Sequence, residues 1–503
     1  MANGITFVKG QGGLGRPLAG EDHISAYLHY TSATLPTGFS ASDRIKLIYS
    51  VEEAEGLGIT NTSLGATAST GTYQLTNKGA AADTIAFTVA GIGGDLTLAS
   101  YTTVAADVVS LITAAAKLAA VINAGTVTHG WTAVSDGIDE VTFTAPKSYG
   151  VFLNSGTPYT MTITGTTAGT LVQNVITGVA SDIDIQHYNV SEYFRMQPKG
   201  VLYIGLYATS ADFAEVTTMQ DYSSGKIRQM AVYTQATFAT ATSTLLQTQA
   251  TAMEAAFTPL SIFYQGDFSA VSDLTTLSDL KTLSDSNVSA TFGQDGANTG
   301  FTLFSATAKS IGCVGTMLGA ESLAKVSDSI AWVGKFPIAA VEFETLAFAN
   351  GDQHNTLTIG QKDAVDALGY IFPKKHASID GSFFNNDYTN IAVTSDYERV
   401  RNVRTIDKAT RSLRTRILPA LSSPLLVNTD GTLTEDTIAY FKSLGNLALD
   451  TMVRDAELSG FAVIIDPAQD VLSTGTLNIA VSLLLVGAAD NIIINIGFVT
   501  SLS

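Results

Sequence analysis

IDIQHYNVSEYFRMQPKGVLYIGLY, residues 183–207, changes its hydrophobic period across one turn. Residues 191–196 read as a short helix, Pro198 and Gly200 make a turn, and 201–206 form an apolar run of strand length. The reverse order stands upstream in DRIKLIYSVEEAEGLGI, residues 43–59: a strand over 45–49, then a short acidic helix. Strand–helix followed by helix–strand is the pattern of one mixed α/β sheet interrupted by another segment.

That segment, 61–179, differs from both flanks in composition. It is dense in Thr, Ala and Gly, and no arginine occurs between Arg44 and Arg195. DTIAFTVAG, LTLASYT and EVTFTAP alternate apolar and polar residues, as half-buried strands do. Between them Val108, Leu111, Ile112, Leu118, Val121 and Ile122 keep helical spacing, which predicts a helix over 104–123. Its apolar content is too high for a disordered linker, so it reads as a β-rich domain with one helix, inserted into a host fold.

Outward on the other side the alternation continues from 227 to about 348. QMAVYT and PLSIFYQ are strands, 244–257 is a Gln/Ala-rich helix, and 307–326 is a Gly/Ala helix. In the last third, 360–368 is helical and a long helix follows SDYERV. Thr434 caps another helix running to about 458, after a polar turn at 428–436. FAVIID, TLNIAVSLLLV and NIIINIGFV are closing strands. The fold class is therefore α+β or mixed α/β, with several domains. Residues 1–20 are an N-terminal arm, 21–60 with 180–348 a middle α/β domain, and 61–179 the insert. Residues 349–488 are a C-terminal α/β domain and 489–503 a strand-like arm.

Composition narrows function. The 503 residues allow about three domains, and 46% of them are apolar, enough for several cores. Only 14% are charged, against about 25% in ordinary soluble domains, which suits a chain that hides surface against copies of itself. A net charge of −18 argues against nucleic acid as a partner. Cys313 is the single cysteine, so no intrachain disulfide forms, and its apolar surroundings read as a buried inert thiol. The N-terminus lacks the pattern of a signal peptide. The apolar run 481–499 is broken by Asp490 and Asn491 beside Gly487, so two strands fit it better than a membrane span.

No catalytic, cofactor or metal site is legible. KGQGGLGRP, residues 9–17, lacks the ending of a phosphate-binding loop. NTDGTLTED lacks calcium-loop ligand spacing. The six histidines, His23, His29, His129, His187, His354 and His376, show no paired spacing, and there is no nucleophile elbow. The most informative stretch lies between Arg399 and Arg416, where seven Lys or Arg residues fall. Val403, Ile406, Leu413 and Ile417, with Thr410 between them, line one face of a helix. Arg401, Arg404, Lys408 and Arg411 line another. A solvated face and a face for an acidic partner are both open readings. The terminal segments 5–9 and 491–499 are strand-like, and the second is apolar on both faces, which suits strand addition between molecules through Ile5, Val8, Ile492, Ile494 and Ile496.

Four stretches carry a resemblance: GLGR near the N-terminus; VEEAEGLGI; HYNVSEYFRMQPKG with the downstream SGKIRQM; and GSFFNNDYTNIAVTSDYERVRNVRTIDKATRSLR. Together they resemble the contractile tail sheath proteins of bacteriophages, over most of the chain except 61–179. The resemblance implies a structural, non-catalytic subunit without cofactors, and an inner α/β domain near a tail tube. Its arms would exchange strands with neighbouring copies, and its outer domains would decorate the cylinder. The implied partners are other copies of the chain, a tail tube protein, and baseplate and neck or terminator proteins, with no direct nucleic acid and no membrane insertion. The place would be a virion tail, assembled in the host cytoplasm and contracting for genome ejection. Arg401, Arg404, Lys408 and Arg411 would then face an acidic tube. Alternatives are a tail tube, capsid or surface-layer protein, the sheath of a phage-derived injection particle, or an enzyme or adhesin on an α/β scaffold.

Overall fold

The computed structural model describes residues 20–30, 35–490, 492–494, 496 and 498, and the chain is a mixed α/β protein with several sheets. The expected arm strand at 5–9, with Ile5 and Val8, and the glycine-rich 9–17 lie outside the described residues. The principal sheet has six strands in the order Val288–Ala290, Ser261–Asp267, Gln229–Thr237, Ile24–Tyr30, Val201–Tyr207, Ile45–Ile48. All neighbours run parallel except the last pair.

Parallel strands need crossover helices, and these cover both faces. Ala26, Leu28, Met230, Val232, Ile262 and Tyr264 point to one face, beneath the helices Glu215–Tyr222 and Thr240–Ala255. Tyr27, Ala231, Tyr233 and Phe263 point to the other, beneath Asp182–Met196 and Val314–Leu323. Those two helices lie so close that a Cβ on Gly315 would meet the Asn189 carbonyl oxygen at 2.4 Å, and one on Gly319 that of Tyr193 at 2.6 Å. Only glycine permits that approach. Cys313 sits buried at the start of the second helix, and burial pushes its thiol up to about 12.

Two helices depart from expectation. The Gly/Ala helix expected over 307–326 is shorter, Val314–Leu323, and a separate helix, Thr299–Thr307, ends where it was expected to begin. The chain turns left-handed at Ala308, and Asp267 then holds the connection by accepting from Ser310 N at 3.0 Å and pairing Lys309 at 2.7 Å. The helix ending at Met196 begins at Asp182, well before 191.

The insert forms a four-stranded and a three-stranded antiparallel sheet. They enclose the helix Leu111–Ala124 and a separate core around Phe87, Trp131, Phe143 and Tyr159. The helix starts at 111, later than periodicity suggests, because Ser110 and Thr113 make a reciprocal capping box at 3.2 and 2.9 Å. Backbone hydrogen bonds of 3.0 Å each way between Thr67 and Val179 close the neck.

After 396 the helices Val400–Ile417 and Glu435–Arg454 pack together, the second capped by Thr434 Oγ1 accepting from Thr437 N at 3.3 Å. A two-stranded antiparallel sheet, Leu458–Ile464 with Ala480–Leu485, lies against the second helix. The described residues of 491–499 belong to no strand within the chain. No described helix is long and apolar enough to cross a membrane.

Candidate functional site

Helix Val400–Ile417 begins where Asp387 anchors it. The Asp387 backbone oxygen accepts from Val400 N at 2.8 Å, and its carboxylate accepts from Arg401 N at 3.3 Å. A carboxylate is favoured there because it meets free amides and the positive end of the helix dipole. Asp387 also takes the Arg401 guanidinium at 2.7 Å and the Ser329 hydroxyl at 2.8 Å.

The basic stripe then descends the helix, each cation seated on acids of the same chain. Arg401 reaches Asp490 at 2.9 Å as well as Asp387. Arg404 donates to Glu321 at 2.6 Å and to the Ala324 carbonyl at 3.3 Å. Lys408 bridges Asp22 and Glu457, both at 2.6 Å. Arg411 meets Asp22 at 3.0 Å, across 389 residues of sequence. Arg228 extends the cluster, pairing Glu21 and donating to the Gly225 carbonyl at 2.7 Å.

This corrects the expectation of a stripe displayed to a partner. Arg401 and Arg404 are buried, and the acidic surface that balances Arg401, Arg404, Lys408 and Arg411 is supplied by the chain itself. A tube contact through these side chains would have to break pairs already made. The reason is energetic: an arginine taken from water must be paired and hydrogen-bonded, so partial burial recruits carboxylates. On the facing stripe Val403 is buried, while Ile406, Leu413 and Ile417 are half-buried. Leu413 packs on the cluster of Ala448 and Leu449, and Ile417 on that of Phe441.

The cluster shifts its own acids. Burial pushes Glu321 up to about 7 despite Arg404, and raises Asp387 despite Arg401. Burial also pulls Asp22 upward, but Lys408 and then Arg411 outweigh it and hold that carboxylate below its ordinary value. Lys408 loses by burial and gains more from Asp22 and Glu457, so it rises. Burial lowers Arg411 to about 10, with Arg228 adding to the effect.

Spacing along the helix identified the cations but not their seats, which come from segments far apart in sequence. One signal was available. Glu321 is the single charge in VGTMLGAESL, and a lone carboxylate in an apolar helix requires a cation. The exposed Ile492, Ile494 and Ile496 lie beyond Asp490 and have no strand partner among the described residues.

Residues 396–503 match the family model described as DUF2586, C-terminal domain. The matched segment takes in the basic helix and the two-stranded sheet that follows it. Among solved structures, a chain of the cryo-EM structure of the anti-feeding prophage (AFP) baseplate is similar at a TM-score of 0.42 and 13% identity, covering 62% of this chain and 80% of that one. A chain of the extracellular contractile injection system PVC sheath complex in its contracted state is similar at 0.41 and 14%, over 62% and 80%. No curated protein matches the chain.

Proposed function

We propose that the chain is a structural subunit of a contractile tail sheath, which polymerises helically around a tail tube and acts by contraction and not by catalysis. The observation that carries this reading is uncovered apolar surface after the C-terminal sheet. Ile492, Ile493, Ile494, Ile496 and Phe498 each expose at least 73% of their surface. Before them in the chain, the sheet of Leu458–Ile464 and Ala480–Leu485 has two strands and no third among the described residues. Such a run is stable in water only when another chain covers it, and an open sheet edge offers the backbone partners. The sequence resemblance supports the same reading. Three of its four stretches supply the helices Val51–Gly56, Asp182–Met196 and Val400–Ile417, linked through Val314–Leu323, which packs on the second and holds Glu321 against the third. The partners of that role are further copies, a tail tube protein, and baseplate and neck or terminator proteins; its place is a phage tail or a phage-derived injection particle.

The test is truncation after Asp490, which keeps the ion pairs of Arg399 and Arg401 with Asp490. The shortened chain is expected to keep its thermal unfolding midpoint and to form no tubes by negative-stain electron microscopy, while the full chain forms long tubular polymers. Ordered tubes from the truncated chain would sink the reading. So would sheets or closed shells from the full chain, which would make it a surface-layer or capsid protein.

A further inference from the structure

Between the C-terminal end of helix Thr240–Ala255 and helix Val400–Ile417 lies a cleft of about 350 Å³. Its charged lining is acidic on both sides, Glu254 from the first helix and Asp407 from the second, with no Lys or Arg among the lining residues. Asp407 is 7% exposed. Unlike the cations around it, its carboxyl makes no hydrogen bond and no close ion pair with any described residue. The guanidiniums that share a small void behind it are committed elsewhere: Arg404 to Glu321, Arg411 to Asp22 and Arg228 to Glu21. Glu254 uses one oxygen to accept from Asn287 Nδ2 at 2.8 Å. A buried carboxyl with unfilled acceptor sites is costly unless a donor reaches it.

The rest of the lining narrows the donor. Val403, Ile406 and Pro259 give an apolar wall suited to an aliphatic stem, and Tyr397 gives an aromatic ring suited to a flat cation. A divalent metal needs more oxygen ligands than two carboxylates supply, and among the described residues no group of three or more metal-binding side chains occurs. A planar fork with an apolar stem is an arginine side chain. We propose that this cleft receives an arginine side chain presented by a second protein chain, its guanidinium held between Glu254 and Asp407.

The proposal carries a pH signature. Burial pushes the unoccupied Asp407 up to about 7; Glu254 adds to the rise, while Arg411, Arg228 and Arg404 oppose it. The guanidinium needs the ionised carboxylate, so affinity falls by about tenfold from pH 8 to pH 6.

Solid-state NMR of the methyl-labelled full-length protein reads the cleft directly whether or not the chains are assembled, because Val403 and Ile406 line it. Titration with acetyl-Gly-Arg-Gly-amide is expected to shift both methyl signals saturably, while the isosteric citrulline peptide leaves them in place. Glu254→Gln, at an exposed position, and Asp407→Asn should each weaken the response by about tenfold, the loss of one charge-assisted contact. If Asp407→Asn does not fold, Glu254→Gln and the pH series decide alone. Equal shifts from the citrulline or a lysine peptide overturn the proposal. No shift from the arginine peptide, or unchanged affinity in Glu254→Gln, overturns it as well.

Discussion

Arg404→Ala is expected to lower the stability of the folded chain by about 3–5 kcal/mol at pH 8, the usual cost of removing one member of a buried ion pair. The Arg404 and Glu321 side chains are 4% and 1% exposed. Glu321 Oε1 already lacks a hydrogen-bond partner, so loss of the guanidinium leaves both carboxylate oxygens unsatisfied. The cost depends on pH, and its sign follows from the raised value of Glu321, about 7 in the folded chain. A group that binds its proton more tightly when folded contributes stability at low pH that is lost as pH rises through the folded value. Without Arg404 the folded value rises further, since that guanidinium was the largest influence lowering it. The deficit of the variant is therefore small near pH 5, where Glu321 is neutral, and grows toward pH 8. Denaturant unfolding followed by circular dichroism at the two pH values measures this. A cost below about 1 kcal/mol at pH 8, as for a surface pair, would contradict the buried-pair reading. The double variant Arg404→Met with Glu321→Leu should recover most of the loss, because apolar replacements leave no uncompensated charge.

In the unsubstituted chain Asp407 acts in the same direction as Glu321, and Asp22 in the opposite one. Asp22 is held below its ordinary value, so its contribution is present at neutral pH and lost as pH falls through the acid range. Stability is thus expected to decline as pH rises from about 4 to about 7 through the two raised acids, while the contribution of Asp22 is lost as pH falls below about 4.

Buried elements with an apolar run were legible, and buried elements that carry polar residues were not. Strand Val201–Tyr207 announced itself as a nearly continuous apolar run, and Ser261–Asp267 through its apolar centre Ile262, Phe263 and Tyr264. The central strand Ile24–Tyr30 did not, because ISAYLHY carries Ser25 and His29, both fully buried. His29 is accommodated by the Tyr27 hydroxyl at 2.8 Å and by stacking on Tyr233, and burial lowers it to about 4, so it enters the core neutral. The first half of helix Asp182–Met196 was hidden for the same reason. Gln186 and Asn189 interrupt its apolar pattern, as Glu192 does in the second half, yet all three are buried. Glu192 is held by Arg195 at 2.6 Å and Thr316 at 2.8 Å, and Asn189 accepts from Gly315 N at 3.1 Å. Polar residues that find partners across the core break the hydrophobic period without breaking the helix. The basic stripe was visible because it is local. Its conversion from a displayed face into an internal ionic core was not, since Asp22, Glu321 and Glu457 are brought to it by three separate connections.

Trp131→Ala is expected to unfold the insert while the six-stranded sheet stays intact. Trp131 is fully buried at the centre of the insert's core, edge-on to Tyr149 and Tyr159 at 5.7 Å each. Truncating a buried tryptophan costs about 3–5 kcal/mol through lost transfer energy and the cavity left behind. A module of this size has a stability of about 5–15 kcal/mol to spend, so the loss is a large share of the whole. Confinement to the insert follows from how it is tied to the rest. Its apolar core is a cluster separate from the two that flank the principal sheet. The ties between the two parts include the Thr67–Val179 neck, the Val151 N to Ala306 carbonyl bond of 2.8 Å, and Ser63 and Leu64 held by Asp184 and Ser181. Hydrogen exchange followed by mass spectrometry separates the parts. Amides of the insert strands between 70 and 176 should exchange about two to four orders of magnitude faster, as the lost stability requires. Those of Gln229–Thr237 and Ser261–Asp267 should keep their protection. Equal acceleration in both sets would mean that the insert and the sheet unfold as one cooperative unit, and that the separate core does not make a separate domain.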